Sequence, residues 1–126
     1  MVGLETADTI ARDGRQVIVL EQLAQVANDV EARTKKLLLQ RLESHRIEIL
    51  CNTKVEGIEK DRVTCSQGGI RYDIDAVDNV ILAVGYKANS SVAQLQSEKI
   101  HKIGDCTQPR KAIAAVHEGF LLGATI

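Results

Sequence analysis

Aromatic side chains are almost absent from this sequence: Tyr72, Tyr86 and Phe120 are the whole complement, and there is no tryptophan. A core built without large rings has to be filled by Leu, Ile, Val and Ala, which suits buried parallel strands covered by helices. The same scarcity disfavours a reader of single-stranded nucleic acid, which needs flat stacking platforms. A surplus of positive charge is also lacking. Lys and Arg total 16 against 17 Asp and Glu, a net charge of −1, whereas nucleic acids and anionic membrane surfaces select basic partners. No apolar run approaches the roughly 20 residues of a membrane helix, and Glu5 and Asp8 occupy the flank where a secretory signal carries cations. The three cysteines, Cys51, Cys65 and Cys106, are odd in number and lack C-x-x-C spacing. They read as small hydrophobes in a reduced compartment, not as a disulfide framework or a zinc site. His45, His101 and His117 show no metal-ligand spacing, and no Ser/His/Asp or Cys/His group suggests a nucleophile. Neither catalytic nor metal-binding residues are expected. The remaining composition is that of a soluble, cytoplasmic domain with room for one core in 126 residues.

What is present is an α/β pattern. Leu4, Ala7, Ile10 and Ala11 recur at helical spacing between Val2 and Arg12, with Gly14 as the stop. Gln16 to Leu20 is a short β-branched strand, Val30 to His45 a second helix with Leu38 and Leu42 on one face, and Ile47 to Leu50 a second strand. The order helix, strand, helix, strand predicts a parallel sheet. The period then changes. Val55 and Ile58, Val63 and Cys65, and Ile70, Tyr72 and Ile74 mark three short strands of an inserted antiparallel meander, with Gln67-Gly68-Gly69 as its second turn. Val80 to Val84 reads as a buried strand, Ser90 to Lys99 as polar and irregular, Ile100 to Ile103 as one more brief strand. Arg110 to Leu122 reads as a helix with Ile113, Val116 and Phe120 on its apolar face.

Three stretches carry chemistry. Gly3 lies in the opening helix, and Glu21 ends the following strand. In a dinucleotide fold, the last fingerprint glycine lets helix and strand approach, and an acidic residue about 20 positions further on takes the adenosine ribose. On these two residues alone, a helix glycine and a solvated glutamate fit as well. The second stretch is Val80-Ile81-Leu82-Ala83-Val84-Gly85, where a strand stopping at glycine can bring its backbone to a flat ligand. Such an ending is common among strands. The third is Lys102-Ile103-Gly104-Asp105-Cys106 before a helix: a tight turn, a carboxylate placed to hold hydroxyls, and helix amides that can hold phosphate oxygens. Asp105 fits a turn residue or cap equally well.

Taken in order, the Gly3-Leu4-Glu5 helix, Glu21, the meander, Ala83-Val84-Gly85-Tyr86-Lys87-Ala88-Asn89 and Ile103-Gly104-Asp105 resemble the pyridine-nucleotide domain of the flavoprotein disulfide reductase superfamily. More narrowly, Ile103-Gly104-Asp105-Cys106 with Pro109-Arg110-Lys111-Ala112 and His117-Glu118-Gly119-Phe120 is similar to the C-terminal part of the 2,4-dienoyl-CoA reductase and NADH:flavin oxidoreductase family. There, an old-yellow-enzyme barrel with FMN and an iron–sulfur cluster precedes an FAD and NAD(P) module.

The resemblance implies a Rossmann-like three-layer domain over residues 1–99, lacking its first strand, and a return segment over residues 100–126 that belongs to the FAD-binding domain of a longer enzyme. It implies NADH or NADPH as cofactor, with FAD in the parent enzyme. Val2 and Gly3 would lie at the pyrophosphate, Glu5 near the nicotinamide, and Glu21 on the ribose. Ala83, Val84 and Gly85 would line the nicotinamide side, Gly104 and Asp105 would hold the flavin ribityl chain, and Lys111 and Ala112 would meet the flavin. Lys87 and Ala88 stand where many relatives have Arg and Pro, which makes that loop less rigid. Glu21 favours NADH, because a carboxylate repels a 2′-phosphate and Gln22 and Leu23 bring no arginine to reverse the preference. The expected partners are small-molecule dinucleotides and the flavin and barrel domains of the parent, without nucleic acid or membrane. With the first strand absent between Val17–Leu20 and Val80–Val84, the open edges predict self-association or a rearranged sheet. A non-catalytic Rossmann-like module for nucleotide sensing or assembly is the alternative, but such a module has no use for the Gly104-Asp105 turn.

Overall fold

The computed structural model describes residues 1–89, 91 and 97–126. Two compact units divide the chain, Met1–Ala83 and Val84–Ile126. The first unit begins with helix α1 (Val2–Arg12), followed by strand β1 (Ile18–Leu20), helix α2 (Ala32–Ser44) and strand β2 (Glu48–Leu50). β1 and β2 pair in parallel, Ile18 opposite Glu48 and Leu20 opposite Leu50, so α2 is the crossover of a βαβ unit. Gly14, at φ +79°, ends the α1 segment and donates its N–H to the Ala11 carbonyl at 3.0 Å. The start of α2 is capped by an uncommon residue: the Glu31 carboxylate accepts from the Arg33 and Thr34 N–H groups at 2.8 and 2.9 Å. Those bonds hold the Glu31 carboxyl below its ordinary range.

Leu4, Ala7 and Ala11 of α1 and Leu38 and Leu42 of α2 meet in one cluster with Val26 and Ile47, and Val17, Val19 and Ile49 of the strand region pack against it. The helical spacing of the sequence therefore marks the core face of both helices, except at Ile10, which is only half-buried. Asp8 was not anticipated there. It is 3% exposed, on the α1 face that carries Leu4 and Ala11, with Arg12 at 3.5 Å and Arg41 of α2 at 3.1 Å from its Oδ2. His45 Nε2 lies 3.7 Å from Oδ1, which has no hydrogen-bond partner among the described residues.

Three antiparallel strands follow, β3 (Thr53–Ile58), β4 (Arg62–Gln67) and β5 (Ile70–Asp75), as the alternation predicts. The β4–β5 turn has Gly68 at φ +57° and Gly69 at φ +83°, the twin left-handed geometry of a two-residue hairpin loop that only glycine adopts freely. One face of the meander is ionic: Arg62 Nε meets Asp75 at 2.6 Å and the Thr64 hydroxyl donates to Asp73 at 2.7 Å. The other face holds Val63 and Cys65, both buried. Burial pushes the Cys65 thiol upward, with Asp73 adding to the effect, so this sulfur is a core atom and not a nucleophile. A bulge interrupts β3 between Val55 and Gly57.

Three expectations are corrected. Val80 to Val84 is neither a strand nor buried: Ile81, Leu82 and Val84 are 57, 68 and 88% exposed. Nor has the sheet rearranged to recruit it, because β1 pairs with β2 alone among the described residues. An extended segment becomes a strand only through a ladder with a neighbour, and no described residue supplies one. Ile100 to Ile103 forms no strand for the same reason. In the second unit, a 3-10 turn (Gly104–Cys106) precedes helix α3 (Ala112–Gly123), whose apolar face is open among the described residues: Ile113, Val116 and Phe120 are each about 70% exposed or more, and no residue of α3 is buried. The helix is apolar nearly all round, a composition suited to burial on every side. The expected irregular segment is described only at residues 91 and 97–99; residues 90 and 92–96 lie outside the described residues. No described helix is long and apolar enough to cross a membrane.

Since Leu42 is fully buried in the α1–α2 cluster, Leu42→Ala is expected to cost about 2–5 kcal/mol of stability. Leu37→Ala, at a site 56% exposed five residues earlier on the same helix, is expected to stay within about 0.5 kcal/mol. Urea unfolding of the two variants checks the contrast.

Candidate functional site

In the first unit the structure brings Gly3 and Ala83 together. A Cβ built on Gly3 would stand 3.0 Å from the Ala83 Cβ, tighter than an ordinary carbon–carbon contact. Glycine here lets the first turn of α1 lie against the chain at Ala83. Val2 and Glu5 flank that turn and, with Thr6, Thr9 and Ile10, line a shallow groove along the exposed side of α1. Val2 is 55% exposed and Glu5 is exposed.

Glu21 sits directly after β1, half-buried. Its backbone continues the parallel pairing: its N–H donates to the Leu50 carbonyl at 2.9 Å, and its own carbonyl accepts from Thr53 at 2.9 Å. The side chain folds back so that Oε1 accepts the Leu23 N–H at 2.9 Å. One carboxylate oxygen is thus fixed by the loop, and Oε2 has no hydrogen-bond partner among the described residues. A carboxylate pre-aimed in this way can accept from a vicinal diol.

The second unit holds the other candidates. Gly85 is exposed at φ +92°, with nothing within 4 Å of a Cβ built on it. It therefore offers open backbone in a conformation that disfavours any other residue. Val84 beside it is 88% exposed. Gly104 is buried, at φ +66°, and a Cβ on it would stand 3.2 Å from that of Ala115 in α3. Asp105 is exposed, and its Oδ1 accepts the Arg110 N–H at 3.3 Å. Lys111 is the N-cap residue of α3 and Ala112 its first residue; both are exposed.

Two residues of this region carried no role in the sequence reading, although both lie in motif stretches. The Glu118 Oε2 accepts the Gly104 N–H at 2.6 Å, while Oε1 pairs with the Arg110 guanidinium. Arg110 lies before α3 and Glu118 inside it, so no helical period couples them in the sequence. Arg110 first, then the Gly104 N–H, hold the Glu118 carboxyl below its ordinary range.

A family model described as pyridine nucleotide-disulphide oxidoreductase matches residues 1–119. The chain is 30% identical over 125 residues to a bilirubin reductase of Mediterraneibacter gnavus, which covers 96% of this chain and 19% of that protein. It is 29% identical over 147 aligned positions to a nitric oxide reductase FlRd-NAD(+) reductase of Vibrio vulnificus, covering 100% of this chain and 38% of that one. A solved 2-naphthoyl-CoA reductase complex superposes with a TM-score of 0.80 at 28% identity, over 98% of this chain and 19% of the other. The chain spans between about a fifth and two fifths of the length of these relatives.

Two outcomes test this geometry. Gly3→Ala is expected to be better tolerated together with Ala83→Gly than alone, with a coupling on the order of 1 kcal/mol in a thermal double-mutant cycle. The Glu118 carboxyl is lowered in the folded chain. Its contribution to stability is therefore complete above the ordinary glutamate range and is lost as pH falls through the depressed value. Acid titration of the melting temperature should show this loss in the native chain, and Glu118→Gln should remove that part of the pH dependence.

Proposed function

The chain belongs to the pyridine nucleotide-disulphide oxidoreductase family, and from that premise we propose that it is the NAD(P)H-binding part of a longer flavin-dependent oxidoreductase, with NADH as the preferred cofactor. The observation that carries this reading is the pairing of a glycine-enforced close approach at Gly3 and Ala83 with a strand-end carboxylate at Glu21 that has one oxygen fixed and one free. These are the features that a pyrophosphate at a helix start and a ribose at a strand end require.

The residues present fit a dinucleotide. Val2 and Gly3 offer the backbone of a helix start to the phosphates, and no Cβ at Gly3 stands in the way. Glu21 accepts from the ribose hydroxyls, and the Leu23 N–H keeps its carboxylate turned toward them. Glu5, Ala83, Val84 and Gly85 are assigned to the nicotinamide; the bare Gly85 backbone supports this, since a flat ring can lie on it without meeting a side chain. When bound, the reduced nicotinamide supplies a hydride from its C4 to the flavin N5, and the chain's task is to orient the two.

In the same reading residues 1–99 form the nucleotide half, and residues 100–126 belong to the FAD-binding half. There Gly104 and Asp105 hold the ribityl chain and Lys111 and Ala112 meet the flavin. The apolar, unburied α3 supports this assignment, as such a helix needs cover on every side. The motif stretch from Ile103 to Phe120 supports a parent of the 2,4-dienoyl-CoA reductase and NADH:flavin oxidoreductase kind. The electron acceptor would be chosen elsewhere in that parent.

NADH is expected to bind more tightly than NADPH, and Glu21→Ala to shrink the difference by about 1–3 kcal/mol, the scale of a charge-assisted hydrogen bond. Calorimetric or fluorescence titration with both cofactors measures it. Tighter NADPH binding to the native chain would overturn the role given to Glu21.

A further inference from the structure

The Gly104 turn is closed by a ring of side-chain contacts. Glu118 of α3 accepts the Gly104 N–H at 2.6 Å through Oε2 and pairs with the Arg110 guanidinium through Oε1. Arg110 in turn donates its backbone N–H to Asp105 Oδ1 at 3.3 Å, which returns the ring to the residue after Gly104. Ala115, one turn before Glu118 on the same helix, stands where a Cβ on Gly104 would come within 3.2 Å. The turn is thus held against α3 by a steric stop and by an ionic latch. Asp105 is exposed, whereas Glu118 is half-buried and spends both its oxygens inside the ring.

We infer that Glu118 is a positioning residue: through Gly104 and Arg110 it sets the aim of the Asp105 carboxylate, which binds the flavin ribityl hydroxyls. The flavin part of this inference rests on the function proposed above, while the latch itself rests on the contacts in the second unit. Both carboxylates are needed, but in unlike ways. Asp105 Oδ1 accepts the Arg110 amide and the residue is exposed, which leaves its other oxygen to a ligand. Arg110 can hold that place because Glu118 anchors its guanidinium. Loss of Glu118 frees the Gly104 N–H and leaves the Arg110 guanidinium with its Nε bond to the Gln108 carbonyl at 3.4 Å; the turn keeps the Thr107 and Gln108 bonds to the Gly104 carbonyl but loses its ionic tie to α3. The depressed Glu118 carboxyl agrees with a latch that stays ionised at neutral pH.

Two measurements on Glu118→Ala and Glu118→Gln decide the matter. In the 126-residue chain, the Gly104 amide is expected to exchange at least about tenfold faster in the Ala variant, as befits a lost bond to a charged acceptor. The Gln variant, whose side-chain carbonyl still accepts, should recover most of the protection; it is also the variant to rely on if Ala fails to fold. In the holoenzyme, the visible circular dichroism of bound FAD at saturation should change with Ala and return toward native with Gln, a signature that loss of stability alone does not move. Asp105→Asn is the control for the flavin reading. If it weakens FAD binding while Glu118→Ala changes neither Gly104 exchange nor the dichroism, the positioning role is overturned. If Asp105→Asn leaves FAD binding intact, the flavin assignment falls, and Gly104 exchange alone then confirms or overturns Glu118 as the latch of the turn.

Discussion

The packing of α1 onto α2 is the contact on which the first unit depends. Leu42 and Leu38 from one helix and Leu4, Ala7 and Ala11 from the other share a cluster with the residues around the paired strands. With so few aromatic rings in the chain, no single side chain buries a large area, and stability has to come from many small aliphatic contacts fitted closely. That explains why alanines are at the centre. Ala7 and Ala11 allow α1 to sit near its neighbours, and the same closeness at its first turn leaves no room for a Cβ on Gly3. The packing demand and the proposed phosphate approach are therefore met by one helix placement.

Much of this arrangement was legible in the sequence because its periods are local. The helical recurrence of Leu4, Ala7 and Ala11, the alternation through Val63 and Cys65, and the glycine pair at Gly68 and Gly69 each state a geometry within a few residues. Val80 to Val84 did not follow its apolar character, since a strand exists only through a partner and an apolar run does not reveal whether one is at hand. The candidate site was legible where backbone freedom singled out a residue, at Gly3, Gly85 and Gly104. Arg110 and Glu118 escaped notice because their meeting depends on how a loop folds over a helix end. Asp8 escaped notice because a lone acid on an apolar stripe looks like an exposed one until Arg41 arrives from the other helix.

The acids of this chain illustrate how environment divides a common chemistry. Asp8 is buried and works inward, tying α1 to α2. Glu31 spends its oxygens on backbone N–H groups, and Glu118 divides its own between the Gly104 N–H and the Arg110 guanidinium, so both act as parts of the scaffold. Glu21 and Asp105 each commit one oxygen to a local amide and keep the other. The last pair combines a fixed direction with an unused acceptor outside the buried core, which is what recognition of hydroxyl groups asks of a carboxylate.

The bulge in β3 has a meaning for how its apolar residues are spaced. Val55 faces Cys65 and Ile58 faces Val63, with Glu56 as the extra residue between the two rows. An interval of three is a helical rhythm, and in an uninterrupted strand it would put Val55 and Ile58 on opposite sides. The bulge acts as a phase correction: it absorbs Glu56 onto the side of Lys54 and Ser66, where its carboxylate meets both, and brings Ile58 back into step with Val63. A chain shortened by that one residue would need no bulge, because an interval of two already keeps Ile58 on the side of Val55.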